Sequence, residues 1–177
     1  MPETSYIPRS RDRDLSLARE DLPVVLVLDR LRSAFNVGNL FRLVEAVQAR
    51  EIVACGYTAT PPHPKLLKTA RGTDELVTCS HAEDAVTAVS ALRRQGYWVC
   101  GVETAEGASP LWQTSFQFPA AFVLGNEALG VEPAALALCD AVVELPCRGR
   151  KNSINVANCG AVVLYEALRQ WEAATAG

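Results

Sequence analysis

The sequence predicts an α/β fold, a mainly parallel sheet flanked by helices, and three observations carry that prediction. Short apolar runs alternate with segments of helical period along most of the chain. The clearest runs, Leu22 to Leu28 and Ala120 to Leu124, are apolar at odd and even positions alike, as strands covered on both faces must be. No internal repeat, low-complexity tract or linker divides the 177 residues.

Residues 1–20 form a charged arm, with Arg9, Arg11, Arg13 and Arg19 among Glu3, Asp12, Asp14 and Glu20, and without the apolar stretch of a signal peptide. The expected domain occupies residues 21–177. Its first strand, Leu22 to Leu28, is too short an apolar run for a helix and ends at Asp29-Arg30. A helix follows, because Val37, Leu40, Phe41, Val44 and Val47 recur at steps of three and four. Ile52 to Cys55 reads as the second strand. The turn through Pro61, Pro62 and Pro64 precedes a short helix over Lys65 to Ala70, a strand over Leu76 to Cys79 and a helix over Ala82 to Gln95. Strands follow at Tyr97 to Val102, Ala120 to Leu124 and Ala141 to Leu145, with a helical stretch around Ala134 to Leu138 between the last two. A long helix from about Ser153 closes the chain.

Composition narrows the function classes. A hydrophobic content of 49% suffices for a core without disulfides or a structural metal. The apolar runs are far shorter than the roughly 20 residues that cross a bilayer. The six cysteines include no CxxC-type pair, and most lie inside apolar segments, so they read as structural thiols of a reducing compartment, the cytosol. A net charge of −3 argues against whole-surface attraction to nucleic acid. Two stretches are nevertheless locally basic: His63, Lys65, Lys68 and Arg71, then Arg148, Arg150 and Lys151. Taken alone, each reads first as a solvated loop, with a phosphate-facing surface as the alternative.

Three segments carry candidate chemistry. Asn36 to Arg42 lies where the first strand meets its helix, at the strand end where parallel sheets place ligands. Gly38 there fits a close approach of backbone or substrate. Asn36 reads as a possible cap, and Arg42 offers a fork of donors or is a plain surface arginine. Phe122 to Gly130 is a buried strand running into a Gly-Asn turn, whose uncovered backbone suits an adenine edge. Glu127 within it either caps the following helical stretch or orients Arg42. Leu145 to Asn158 is a strand end, a basic loop and a helix start, with Ser153 as the natural N-cap. The helix is apolar nearly all round and so deeply buried, which makes the amide of Asn155 in its first turn an anomaly needing a ligand or structural partner. Ala157, Gly160 and Ala161 leave a thin face for another helix or a second subunit.

Together N-x-G-x-x-x-R (36–42), L-G-N-E-x-x-G-V (124–131) and L-P-x-x-G-x-x-x-S-I-N-V-A (145–157) resemble, in order and spacing, the three motifs of the SpoU/TrmH family of RNA 2′-O-ribose methyltransferases, within the SPOUT superfamily. The resemblance runs from about Leu22 to the C-terminal helix. It implies a C-terminal trefoil knot, S-adenosylmethionine as cofactor, a tRNA or rRNA substrate, and a homodimer with the active site at the subunit interface. Carried over to this chain, it makes Asn36, Arg42, Glu127, Ser153 and Asn155 catalytic candidates. Gly125, Leu145 and Ile154, with Thr104 beside them, become cofactor-binding candidates, and the two basic stretches become the RNA-facing surface. Isoleucine at 154 replaces the usual leucine, and Cys147 stands where methionine is common. Two rival readings accompany this one: a noncatalytic RNA- and cofactor-binding module of the same fold, and methylation of a base instead of a ribose.

Overall fold

The computed structural model describes residues 21–175, and the arm proposed for residues 1–20 lies outside them. Seven strands form one sheet: β1 (Leu22–Asp29), β2 (Ala49–Cys55), β3 (Cys79–Ala82), β4 (Trp98–Val102), β5 (Ser109–Pro110), β6 (Ala120–Leu124) and β7 (Ala141–Glu144), in the order β3-β2-β1-β6-β4-β7-β5. Every pairing between them is parallel. A parallel pair cannot be closed by a hairpin, so each connection crosses over a face of the sheet. The helices α1 (Ala34–Val47), α2 (Pro64–Ala70), α3 (Ala85–Arg94), α4 (Pro133–Leu136) and α5 (Val156–Thr175) lie in these connections or follow the last strand.

The two-residue period of a strand sorts the core into halves. Leu26, Leu28, Phe122 and Leu124 face the layer that includes Leu40, Phe41 and Val44 of α1 and Val163 and Leu164 of α5. Val25, Val27, Ala121 and Val123 face the other way, toward Val89 and Leu92 of α3 and Ala135 of α4. Both faces are therefore apolar in β1 and β6, as the runs in the sequence predict. Among the described residues no helix is long and apolar enough to cross a membrane.

Several boundaries differ from expectation, each for a local reason. Helix α1 begins at Ala34 because the Ser33 hydroxyl caps it, accepting from the Asn36 N–H at 3.3 Å; Asn36 itself lies in the first turn. Leu76 to Cys79 is not a strand. Thr73–Glu75 makes a 3-10 turn, Leu76 is 72% exposed, and pairing of Ile52 with Cys79 sets β3 at Cys79–Ala82. Asp84 caps α3 by accepting from the Thr87 N–H at 2.7 Å, which starts that helix three residues later than its apolar pattern suggests. Helix α5 starts at Val156, with Asn155 and not Ser153 at its cap: the Asn155 Oδ1 accepts from the Ala157 N–H at 2.9 Å. The amide is thus a cap, not an anomaly. Burial of α5 is one-sided, since Tyr165 is 54% exposed and Ala161 and Val162 are half-buried.

Gly38 shows why α1 tolerates a poor helix former. A Cβ there would overlap the Thr69 hydroxyl and the Leu66 carbonyl of α2, so the missing methyl lets the two helices touch backbone to side chain. Alanine is favoured over glycine in a helix by up to about 1 kcal/mol, whereas overpacking costs about 1–3 kcal/mol. Gly38→Ala should therefore lose up to about 2 kcal/mol net, read as a lower urea midpoint at unchanged slope.

Candidate active site

The carboxyl ends of β4, β6 and β7 supply Val102, Leu124 and Glu144 to the floor of a cavity of about 470 Å³. Three loops wall it: the segment after β4, the turn after β6 and the stretch between β7 and α5. All four cofactor-binding candidates, Thr104, Gly125, Leu145 and Ile154, line this cavity, as do Glu127, Ser153 and Asn155. Asn36 joins them by hydrogen bonds. Arg42 does not: it is exposed on α1, outside the lining.

The β6 turn is built by Asn126, whose Oδ1 accepts from the N–H groups of Ala128 at 2.8 Å and Leu129 at 3.0 Å. Its Nδ2 donates to the Arg30 carbonyl at 2.6 Å and to the Tyr57 hydroxyl at 2.8 Å. A Cβ on Gly125 would overlap the backbone of Gly130 and Val131, so this glycine lets the turn fold back on itself.

The turn delivers Glu127 to the start of α1. Its carboxylate accepts from the N–H groups of Arg32 at 2.8 Å and Ser33 at 3.1 Å and from the Asn36 Nδ2 at 3.0 Å. Within one chain Glu127 meets the residues that lead into α1 instead of the stretch after it, and its side-chain partner is Asn36, not Arg42. Asn36 Oδ1 in turn accepts from Asn155 Nδ2 at 3.1 Å. Both amides are oriented without ambiguity. A carboxylate only accepts, so Asn36 must turn its NH₂ to Glu127, and the backbone N–H groups at the start of α5 claim the Asn155 oxygen. The result is a polar chain from Glu127 through Asn36 to Asn155 along the cavity edge.

Ser153 is exposed on the cavity wall, and Ile154 is 47% exposed beside it. Thr104 donates its hydroxyl to the Asn152 carbonyl at 3.1 Å, so that side chain ties two walls together. The basic loop lies between lining residues Cys147 and Asn152, which puts exposed Arg148, Arg150 and Lys151 next to the cavity. Lys65, Lys68 and Arg71 are exposed on and just after α2, the helix packed against Gly38 of α1. Sequence reasoning missed Glu103, Glu144 and Cys159 in the lining. Nothing in their local spacing marks them, since each reaches the cavity only through the sheet order. Burial pushes the Cys159 thiol up to about 12, with the nearby Glu103 charge adding to the effect, which disfavours the thiolate.

Burial works to raise the Glu127 carboxyl, but the Arg32, Ser33 and own-backbone N–H groups and the Asn36 amide outweigh it and leave it below the ordinary carboxylate range. A depressed folded-state value stabilises the fold above the unfolded value, and that stability is lost as pH falls through the folded value. Glu127→Gln should cost about 1 kcal/mol at neutral pH, and the difference from wild type should shrink below about pH 4, as urea melts across pH 3 to 7 would show.

Comparison with known proteins agrees with this architecture. The SpoU rRNA Methylase family matches residues 23–165. A 23S rRNA (guanosine-2′-O-)-methyltransferase, RlmB, of Vibrio parahaemolyticus is 29% identical over 159 residues, covering 90% of this chain and 64% of that protein. A 23S rRNA (uridine(2479)-2′-O)-methyltransferase of Streptomyces viridochromogenes is 32% identical over 163 residues, covering 90% of this chain and 56% of its own. The chain thus spans less than two thirds of the length of either relative. The crystal structure of the SpoU methyltransferase AviRb from Streptomyces viridochromogenes, in complex with the cofactor AdoMet, superposes with a TM-score of 0.75 at 28% identity, over 93% of this chain and 66% of that one. With the family match covering most of the domain and the three motifs meeting around one cavity, the chain belongs to the SpoU rRNA methylase family.

Proposed function

We propose that this protein transfers a methyl group from S-adenosylmethionine to a ribose 2′-hydroxyl of rRNA or tRNA. The observation that carries the reading is the polar chain Glu127–Asn36–Asn155 at the edge of a cavity lined by Thr104, Gly125, Leu145 and Ile154. The cavity volume lies in the range of small-molecule sites, and its Gly125 and Leu145 edges offer the backbone groups that read an adenine. The cofactor, when bound, supplies a methyl group on a sulfonium that is already strongly electrophilic. The chain's own residues then have to align a weakly acidic hydroxyl and the group that takes its proton.

A guanidinium stays protonated and is a poor base, so Arg42 acts by clamping the nucleotide's phosphate, which positions the phosphate to accept the hydroxyl proton. Glu127 and Asn155 hold Asn36, and Ser153 completes the catalytic set. Because Arg42 lies outside its own chain's cavity, the reading places it at the site of a second copy, in a homodimer with the active site at the interface. The exposed Tyr165 and half-buried Ala161 on α5, and Phe35 at 45% exposure on α1, support such an interface. The same reading includes a C-terminal trefoil knot, which the three-motif resemblance implies. RNA is met by Lys65, Lys68, Arg71, Arg148, Arg150 and Lys151. The rRNA substrates named for the relatives favour rRNA over tRNA here.

The test is transfer of labelled methyl from S-adenosylmethionine into separated rRNA and tRNA from cells lacking the protein, followed by nucleoside analysis. A 2′-O-methylated nucleoside that disappears with Arg42→Ala is the expected result. A methylated base would establish the base-methylating alternative, and cofactor binding without incorporation into any RNA would establish the noncatalytic one. Near-normal turnover in Arg42→Lys would remove the clamp, because lysine lacks the planar fork. Separately, Lys68→Glu with Arg71→Glu should weaken RNA binding at least tenfold at physiological salt while leaving cofactor affinity within about twofold, measured by filter binding and calorimetry.

A further inference from the structure

The cavity contains a charged device that the motifs do not describe. Glu103, the residue just after β4, lines it with Glu127 and Glu144, and no lysine, arginine or histidine is among the lining residues. The Glu103 side chain is held on both oxygens: Oε1 accepts from the Thr104 N–H at 3.0 Å and Oε2 from the Val131 N–H at 2.9 Å. Gly130 makes room for it. A Cβ at that position would overlap the Glu103 carboxylate, and with φ at +70° the site suits glycine on backbone grounds as well. One N–H on each oxygen leaves the second lone pair of each unclaimed by those donors, on a carboxylate that cannot swing away.

A fixed carboxylate in an acidic cavity distinguishes ligands by charge. Methyl transfer breaks a sulfur–carbon bond and forms an oxygen–carbon bond. The hydroxyl proton passes to the phosphate that Arg42 clamps, and the sulfonium becomes a neutral thioether. The product S-adenosylhomocysteine therefore carries one positive charge fewer than S-adenosylmethionine while keeping almost the same shape. We propose that Glu103 is a specificity-determining residue of this site, its immobilised carboxylate favouring the cationic cofactor over the neutral product and so promoting product release. The inference rests on the methyl-transfer reading and goes beyond it by assigning product discrimination to a residue outside the three motifs.

The experiment is calorimetric titration of the full chain with S-adenosylmethionine, S-adenosylhomocysteine and sinefungin, which carries an ammonium group in place of the methyl sulfonium. Wild type should bind the two cationic ligands roughly tenfold more tightly than the product, the order expected for one charge pair in a partly solvated site. Glu103→Gln keeps the side-chain shape and removes the charge. It should reduce that preference severalfold by weakening the cationic ligands, and Glu144→Gln should shift it in the same direction. Equal weakening of all three ligands by Glu103→Gln would make the residue a wall support only and overturn the proposal, as would wild type binding the product as tightly as the cofactor. If circular dichroism shows Glu103→Gln unfolded, an unchanged preference in Glu144→Gln overturns it instead. Binding of none of the three would remove the cofactor reading itself, and this inference with it.

Discussion

The buried side-chain amide of Asn126 uses both its oxygen and its nitrogen twice, and the site depends on that saturation. Its oxygen closes the turn after β6, and its nitrogen fastens the turn to the Arg30 carbonyl and the Tyr57 hydroxyl. A buried amide with unmet partners would cost about 1–3 kcal/mol, so the geometry that satisfies all four bonds is strongly selected. Glu127, the next residue, has its position set by this arrangement. It meets the N-terminus of α1, where unpaired N–H groups and the helix dipole favour an anion. Asn36 and Asn155 follow in line, so a single turn sets the order of side chains across loops that are far apart in sequence.

The same end of β1 holds a buried charge in place. Asp29 is fully buried, yet its carboxylate accepts from the Arg30 guanidinium at 2.8 and 3.0 Å and from the Glu132 N–H at 2.8 Å. Removing one partner of such a group would strand a charge in the core, which costs far more than the net worth of the pair. Both β1 and the β6 turn are thus pinned to Arg30, one through its side chain and the other through its carbonyl. The thiols play no comparable part. Burial pushes Cys55, Cys100 and Cys159 up to about 12 and Cys79 and Cys139 up to about 11, which leaves them as small core residues.

Charge is segregated on a scale that the net value of −3 conceals. The cavity wall is acidic, through Glu103, Glu127 and Glu144, while the loop beside it exposes Arg148, Arg150 and Lys151. Such an arrangement suits a small cationic ligand inside and a polyanion outside. Within a few ångströms of a partly enclosed surface, local sign governs the interaction, because solvent and salt screen the more distant charges.

The strand runs Leu22 to Leu28 and Ala120 to Leu124 were legible in the sequence because burial on both faces leaves an unbroken apolar signal, and the parallel sheet followed from their alternation with helices. The three motifs were legible because their residues are close in sequence, and the catalytic candidates among them, except Arg42, lie in or beside one cavity. Helix starts were less legible: Ser33, Asp84 and Asn155 cap their helices through side-chain bonds that the apolar period does not register. The strand expected at Leu76 to Cys79 moved to Cys79–Ala82 because pairing with β2, not hydrophobicity, sets its register. By itself the sequence determined the fold class and brought forward Glu127, Ser153 and Asn155 as candidates that line one cavity, with Asn36 bonded to it. Only the tertiary structure decided their partners, placing Glu127 on Asn36 instead of Arg42 and bringing Glu103 to the cavity, because those contacts depend on strand order and loop direction, which local patterns do not encode.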